Sequence, residues 1–439
     1  MLRNHFPGPV KSLTVAILRW SDMVASMDAD PIRLSQHALE HRLIDRDAAR
    51  VLRRLHDFGF HAYLVGGSVR DLLLGGTPKD FDVVTSARPQ EVRRLFRRCR
   101  LIGRRFRLAH VLGENGNIIE TATFRAKPTE GADSVLITDD NNFGTPRSDA
   151  YRRDFTVNAL FFDLAADEVI DYVGGLEDLE RRVLRTIGDP VTRFREDPVR
   201  MLRAVKFAAR LDFEIDAPGR AAIEAQRAEL SKAAIPRLYE EIVRMLSGGA
   251  AAKSIALLDE LRLLEILAPE LSAARAHLPP EWASVETGLL EALNRRKSGP
   301  DVIPHGLYFA ALFWPLVRGV AKLLGADPRP NEMRHLAETM MLPMAVRLSV
   351  PKRTMESALG VMTAQFRVPR LNPSKLATFA SLPHYAAVLA FAQIRGEAGD
   401  VDDEEADIWN KMASKYPPQP MVRPAPRRRR RRPRQPARR

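Results

Sequence analysis

Residues Ala62–Thr85 read AYLVGGSVRDLLLGGTPKDFDVVT, and this stretch decides the fold around which the chain is organised. Four apolar residues typical of a strand run into Gly66 and Gly67, and the amphipathic segment after them predicts a short helix. A Gly-Gly-Thr-Pro turn follows, and a second predicted strand carries Asp80 and Asp82. The stretch therefore predicts two strands joined by a helix, with the first glycine pair directly after a strand.

Both ends of this stretch indicate phosphate chemistry. Gly66 and Gly67 let a backbone approach a triphosphate closely, and the helix after them begins with unpaired N–H groups. Asp80 and Asp82 are two positions apart on a strand, so both side chains leave the same face. Two such carboxylates repel each other unless a divalent cation lies between them, which is the arrangement of a Mg²⁺ site. The competing interpretation is an ordinary turn and a solvated strand end.

The pattern Gly-Gly-x-Val-Arg-Asp, followed nine residues later by Asp-x-Asp, resembles the signature of the DNA polymerase β-like nucleotidyltransferases. Within that superfamily it resembles the class of bacterial poly(A) polymerases and CCA-adding enzymes. The resemblance implies an α+β fold, with a nucleotidyltransferase head of mixed sheet and helices, then an all-α neck and body and a disordered arginine-rich tail. It also implies that Gly66, Gly67 and Arg70 support a nucleoside triphosphate.

A basic stretch beyond the paired acids separates the two kinds of enzyme in this class. Residues 101–112 alternate between apolar and other residues, which predicts a strand with arginines at 104, 105 and 107. From the residues alone, these arginines either line the path of a phosphate backbone or protect an edge strand by their charge. The stretch resembles the Gly-Arg-Arg-Phe-x-Leu-x-His segment of bacterial poly(A) polymerases, which implies that Arg104, Arg105 and Arg107 bind RNA.

Two acids compete for the place of a third carboxylate. Residues 151–162 contain Arg152-Arg153-Asp154-Phe-Thr-Val-Asn, which resembles a core motif of the family. The resemblance implies that Asp154 is catalytic and that Arg152 or Arg153 neutralises the charge of the triphosphate. Glu120, on a predicted strand over 118–125, is the rival, because the third acid of such sites normally lies on an adjacent strand.

A third motif lies at the start of a predicted helix after Asp197. Asp197 suits the N-cap and Pro198 the first helical position. Asp197, Arg200 and Arg203 are three residues apart and point the same way, either as a surface ion-pair ladder or as groups that hydrogen-bond a base edge. The resemblance to the family's Glu-Asp-x-x-Arg motif implies that they read the incoming adenine.

The charge of the chain is concentrated at its C-terminus. Of a net charge of +13 over 439 residues, ten positive charges are arginines in 423–439, which has no acid, so the rest carries +3. Residues 427–432 are six consecutive arginines among prolines, which cannot form a core and predict disorder. Such a tail is either a solubilising segment or an RNA-tethering arm, and beside the transferase motifs we expect Arg427, Arg428, Arg429 and Arg430 to bind RNA.

Composition and pattern also set the domain boundaries. One cysteine excludes a disulfide framework and a multi-cysteine zinc site and fits a reducing cytoplasm, and no apolar run reaches the length of a membrane span. Beyond Asp212 the pattern is helical to near Met412. We expect a flexible N-terminal extension over 1–33, a head over 34–172, a helical neck over 173–250, a helical body over 251–415 and a tail over 416–439.

The resemblance implies a reaction and its partners. A nucleoside monophosphate would pass from ATP to an RNA 3′-hydroxyl, with Asp80 and Asp82 holding two Mg²⁺ ions and no nucleic-acid template. RNA 3′ ends would be the partner of a monomeric enzyme, together with RNA-decay proteins at the C-terminal region. The alternatives are a CCA-adding enzyme and a non-catalytic RNA-binding protein on a transferase fold.

Overall fold

The computed structural model describes most of the chain, in eight stretches. They are residues 30–103, 108–114, 116–126, 143–277, 279–296, 303–323, 329–419 and 421. The chain divides into two compact units, the first formed by Met1–Arg200 and Asp212–Ala225 and the second by Met201–Leu211 and Gln226–Arg439. The finer division into neck, body and tail stays a prediction.

The first unit is built on one mixed sheet. In the described residues its strands are β1 (Ile32–Leu34), β2 (Ala62–Val65), β3 (Asp82–Thr85), β4 (Cys99–Ile102), β5 (Leu108–Leu112), β6 (Ile118–Thr123), β7 (Leu160–Asp163) and β8 (Glu168–Asp171). Their order across the sheet is β1-β8-β7-β2-β3-β6-β5-β4. All neighbouring pairs are antiparallel except β3 and β6, which run parallel. A separate parallel pair joins β9 (Val183–Leu184) to β10 (Glu214–Ile215).

One register row crosses the whole sheet. Residues directly opposite each other on paired strands project from the same face. The row consists, from edge to edge, of Arg33, Ile170, Phe161, Val65, Asp82, Glu120, His110 and Arg100. Apart from Arg33, which is exposed at the β1 edge, the residues before the acids (Ile170, Phe161 and Val65) are buried, whereas Asp82, Glu120 and Arg100 are exposed. The row thus divides this face into a covered apolar half and an open charged half.

Helices alternate with the strands of the first unit along the chain. The helices of the first unit are α1 (Arg46–Asp57), α2 (Gly67–Leu73), α3 (Pro89–Leu95), α4 (Pro146–Tyr151), α5 (Gly175–Glu180) and α6 (Pro190–Glu196). The helix α7 (Val199–Leu211) continues into the second unit, and α8 (Ala217–Gln226) returns to the first.

Alternation along the strands sends the other set of side chains to the opposite face. Val83, Val111 and Ile119 of that set are buried, and α1 and α3 contact these strands, so the two helices cover this back face. On the face of the register row, a cluster that includes Tyr63 and Val84 covers the β7 side.

The second unit is helical. Its helices are α9 (Ile235–Leu246), α10 (Ala251–Glu260), α11 (Leu264–Leu267), α12 (Pro269–His277), α13 (Pro280–Arg296), α14 (His305–Leu323), α15 (Pro330–Arg347), α16 (Lys352–Arg367), α17 (Pro373–Ala380), α18 (Tyr385–Glu397) and α19 (Asp403–Lys415). Trp314 and Phe391 are buried among them, and Arg395 donates to Asp400 from the same core. The predicted mixed-sheet head followed by a helical region is confirmed.

No single helix among the described residues is long and apolar enough to cross a membrane. In the same residues, only the bent pair α17 and α18, with 109° between the two helices, has the length and composition of a span.

Several predicted elements differ from the structure for local reasons. The strand β1 at the sheet edge begins at Ile32, within the predicted extension over 1–33, whereas 1–29 lie outside the described residues. The single strand predicted over 101–112 is wrong, because β4 and β5 form an antiparallel pair and Gly103 leaves β4 with a φ of +93°. The helix after Asp212 is preceded by the short strand β10, which the helical pattern did not predict.

Candidate active site

The diglycine bend connects β2 to α2. Gly66 has a φ of +76°, a conformation that favours glycine, and its N–H donates to the Leu160 carbonyl over 3.1 Å. A Cβ added to Gly66 would lie 3.3 Å from Nη1 of Arg153 and 3.6 Å from the Asn158 carbonyl oxygen. A residue with a side chain would therefore strain the backbone and crowd the Arg153 guanidinium at the bend.

Arg70 supports this bend from inside the protein. Its side chain is 1 % exposed, its Nη1 donates to Oδ1 of Asn158, and its Nε donates to Oδ1 of Asp71 over 2.8 Å. These bonds tie α2 to the segment before β7. The direct contact of Arg70 with a triphosphate stays a prediction, and its burial favours support of the glycine backbone.

The paired acids lie next to the bend, on the open half of the register row. Asp80 precedes β3 and Asp82 begins it, both are exposed, and Asp82 is directly opposite Glu120 on β6. Although solvent reaches Asp82, the surrounding protein desolvates it, and this burial together with the charges of Glu120 and Asp80 raises its pKa to about 6, against the effect of Arg153. The pKa of Asp82 is thus raised first by burial and then by the neighbouring carboxylates.

The structure places the two candidates for the third carboxylate differently. Glu120 lies beside Asp82 on the adjacent strand. The Asp154 carboxylate instead accepts the N–H of Phe155 over 2.9 Å and Nδ2 of Asn158 over 3.4 Å. The arrangement favours Glu120 as the neighbour of the acid pair and Asp154 as a group that holds its own loop.

Across the described residues, no three histidine, cysteine, aspartate or glutamate side chains form a group that could hold a metal ion. Within that part of the chain, Asp80 and Asp82 would therefore need further ligands for a metal. Mg²⁺ commonly completes its octahedron with substrate phosphates and waters.

Asp149 organises the arginine pair that follows it. Its buried carboxylate accepts Nε of Arg152 over 2.8 Å and both Nε and Nη2 of Arg153, over 3.1 and 2.8 Å. Burial alone would raise the pKa of Asp149, but the two guanidinium groups lower it below its ordinary value. Because Nε and Nη2 of Arg153 bond Asp149, its Nη1 is left facing Gly66.

A second arginine network fixes the end of α6. Arg193, which is 5 % exposed on its side chain, donates to the carbonyl oxygens of Arg152 and Arg153 over 2.8 and 2.5 Å. Glu196 accepts both Nη1 of Arg193 over 2.9 Å and Nη1 of Arg200 over 3.1 Å. Glu196 therefore holds the Arg200 guanidinium in place from one side.

The remaining predicted base-reading residues lie around the start of α7. Oδ1 of Asp197 accepts the Val199 N–H over 3.3 Å, so Asp197 caps the helix as the sequence predicts. Arg203 belongs to the second unit, where it lies 3.6 Å from Glu241 and over the ring of Phe207. The predicted RNA-binding residues Arg104, Arg105 and Arg107, and Arg427 to Arg430, lie outside the described residues.

Two site residues were missed in the sequence, although both carry a readable signal. Asp149 stands three and four residues before Arg152 and Arg153, the spacing of helical ion pairs. Glu196 likewise stands four residues before Arg200. The spacing does not say that the Asp149 carboxylate is buried or that it leaves Nη1 of Arg153 facing Gly66, and only the folded structure shows that.

Three family models match the chain. "Poly A polymerase head domain" matches residues 62–185, "Probable RNA and SrmB- binding site of polymerase A" matches 212–275, and "Polymerase A arginine-rich C-terminus" matches 329–439. Together they span both units.

Known poly(A) polymerases are similar to this chain over most of its length. Poly(A) polymerase I of Salmonella typhi is 39 % identical over 91 % of this chain and 90 % of that protein, and the Escherichia coli O6:H1 protein is 37 % identical over 94 % and 93 %. The CCA-adding enzyme of Enterococcus faecalis is 40 % identical over only 46 % of this chain and 49 % of its own.

A solved structure with the same overall fold is the Bacillus stearothermophilus CCA-adding enzyme in complex with CTP. It has a TM-score of 0.62 and 25 % identity over 84 % of this chain and 82 % of that one.

Proposed function

The chain belongs to the bacterial poly(A) polymerase family and is an RNA nucleotidyltransferase, and on that basis we propose that it adds AMP from ATP to RNA 3′ ends without a template. The observation that carries the proposal is the position of Asp82, opposite Glu120 and beside the diglycine bend that Arg153 faces. Match length favours polyadenylation over CCA addition, because poly(A) polymerases align over about nine tenths of the chain and the CCA-adding enzyme over about half.

The triphosphate would lie along the diglycine bend. The backbone of Gly66 and Gly67 offers close approach, and Nη1 of Arg153 is the guanidinium atom that faces it. Arg153, with Arg152 beside it, would neutralise the charge that develops on the leaving pyrophosphate. Arg70 would keep the bend rigid from the protein interior, through its bond to Asn158.

The carboxylates fit a hard divalent cation. Burial raises the pKa of Asp82, and the charges of Glu120 and Asp80 raise it further, so a bound cation would offset the repulsion among these carboxylates. Asp80 and Asp82 would hold two Mg²⁺ ions, with Glu120 as the adjoining acid and Asp154 as the candidate that the family motif suggests. Bound Mg²⁺ would supply the acidity that activates the RNA hydroxyl and stabilises the leaving oxygens.

The adenine would be read by the residues at the start of α7. Asp197 and Arg200 present an acceptor and donors that suit a base edge, with Arg203 as the further candidate. Glu196 fixes the Arg200 guanidinium before any nucleotide binds. The choice of ATP over CTP would therefore depend on Arg200 N–H donors whose orientation is fixed and does not adapt to a different base.

The RNA would be held by positive charge outside the nucleotide site. Arg104, Arg105, Arg107 and the tail arginines from 427 to 430 are the proposed phosphate contacts. The family model matching 212–275 supports RNA and protein binding in that region. A role in RNA decay with a protein partner, carried out by a monomer, completes the proposal. The single cysteine supports action in a reducing cytoplasm.

One assay tests the activity. The purified protein is incubated with an unstructured RNA and Mg²⁺, with ATP and CTP supplied separately and together, and the products are sized and sequenced. We expect long homopolymeric A tails from ATP, and none from the Asp80→Ala variant, whose circular dichroism should match the parent. A short terminated CCA product would contradict the proposal.

A further inference from the structure

The open half of the register row continues past the carboxylates to the edge of the sheet. His110 on β5 and Arg100 on β4 follow Glu120, so all three side chains project from the face of Asp82. Nε2 of His110 lies 3.6 Å from Oε1 of Glu120. Adjacent strands are about 4.8 Å apart, which places Arg100 about 14 Å from Asp82.

Apolar side chains lie uncovered on both sides of this row. Ile102 on β4 is 46 % exposed and Ile118 on β6 is 52 % exposed. Leu108 and Leu112 lie between them on β5 and are half-buried. On the covered half of the same face, by contrast, the described apolar residues Ile170, Phe161 and Val65 are buried. An uncovered apolar strip on an otherwise packed sheet marks a binding surface.

Positive charge borders this strip at the sheet edge. Arg100 is exposed on β4, and Arg98 is exposed just before it, where its carbonyl accepts the Leu112 N–H over 2.9 Å. Within the part of the chain that the structure describes, neither guanidinium forms an ion pair. An arginine with no acidic partner keeps its planar donors available for a phosphate group.

We propose that this surface, formed by Arg98, Arg100, Ile102, Leu108, His110 and Ile118 and called here the open strip, binds the last nucleotides of single-stranded RNA. Bases would stack on the aliphatic side chains and on the His110 ring, and the two arginines would hold phosphates. Charge complementarity and continuity with the carboxylates favour RNA over a protein partner. The inference rests on the proposed function, because RNA bound on the open strip would place its 3′-hydroxyl at Asp82.

The test compares two double variants of equal charge. Arg98→Ala/Arg100→Ala removes the cations of the open strip, whereas Arg93→Ala/Arg94→Ala removes two exposed arginines of α3, which covers the back face. Binding of a 5′-labelled oligo(A) RNA to the full chain without ATP is measured by fluorescence anisotropy at several salt concentrations. The KM values for RNA and for ATP are then measured separately.

The first variant should weaken RNA binding about tenfold and flatten the salt slope by about 1.4, the value for two single-strand phosphate contacts. Its KM for RNA should rise and its KM for ATP should stay within twofold, and the α3 variant should match the parent in all three. His110→Ala should also raise the KM for RNA, and His110→Phe, which keeps a stacking ring, should restore it.

Equal losses in both double variants, or unchanged RNA binding in the first, would overturn the open strip as the RNA site. Binding of an unrelated protein partner that the first variant abolishes, with RNA binding intact, would overturn it as well. If the parent protein adds no AMP, the proposed function fails, while the anisotropy measurement without ATP still decides the RNA site.

Discussion

The position of Glu120 leads to a prediction that separates it from Asp154. Glu120→Gln removes one charge at constant shape from the residue opposite Asp82, and Asp154→Asn does the same to the carboxylate bound by Phe155 and Asn158. If Glu120 adjoins the cation site, the first variant should require more Mg²⁺. The second should mainly loosen its own loop.

The expected size follows from the spacing of the two acids. Two unit charges about 5 Å apart interact by about 3 kcal/mol at an effective dielectric constant of 20. The Glu120 side chain is 52 % exposed, so screening reduces its contribution to a cation at Asp82 to about 1–2 kcal/mol. That corresponds to a Mg²⁺ requirement raised about five- to thirtyfold.

The assay is AMP incorporation into oligo(A) RNA at saturating ATP over a range of Mg²⁺ concentrations. Glu120→Gln should shift the curve to higher Mg²⁺ and recover part of its rate there, whereas Asp154→Asn should keep the parental midpoint. The reasoning is refuted if Asp154→Asn shifts the midpoint and Glu120→Gln leaves it unchanged. In that case the family motif, and not the strand register, identifies the third carboxylate.

Three further predictions concern other parts of the chain. Asp149→Asn should raise the KM for ATP about tenfold in steady-state kinetics, because Arg153 loses its charged anchor at the diglycine bend; an unchanged KM would contradict that role. Truncation after Met421 should weaken RNA binding and flatten its salt dependence, by about 0.7 for each lost contact; an unchanged slope would exclude the tail. Burial raises the pKa of Glu286 from 4.5 to about 7, although the charge of Arg275 opposes this shift. Between these two pH values, the folded chain therefore keeps a proton on Glu286 that the unfolded chain releases. Unfolding free energy should therefore fall by up to about 3 kcal/mol from pH 4.5 to 7, and urea unfolding of Glu286→Gln should lack this fall.

The sequence predicts those features that depend on local pattern. The strand before Gly66, the paired acids and the helical second half follow from periodicity and from glycine position, and the fold class is confirmed on that basis. The capped start of α7 is also local, because Asp197 bonds a backbone N–H two residues away.

Features that depend on strand pairing lie beyond such patterns. Nothing in the spacing of Asp82 and Glu120, 38 positions apart, says that they are directly opposite on parallel strands. The alternating pattern continues through Gly103 and therefore predicts one strand where the structure has the hairpin of β4 and β5. The positive φ of Gly103, at which β4 ends, leaves no mark in that pattern.

The register row explains why the carboxylates stand where they do. Val65, on the covered side of Asp82, is 1 % exposed, so the acid lies at the boundary between a packed core and solvent. Protein on the core side desolvates Asp82, which raises its pKa and strengthens the charge interactions there. The open side leaves room for an RNA strand to approach. Moved one residue along β3, a carboxylate would point at the buried back face, where Val83 is 0 % exposed. Moved one strand toward β7, it would replace Val65 within the core. Under the proposed function, this boundary position would let one acid meet both a triphosphate and an entering RNA end.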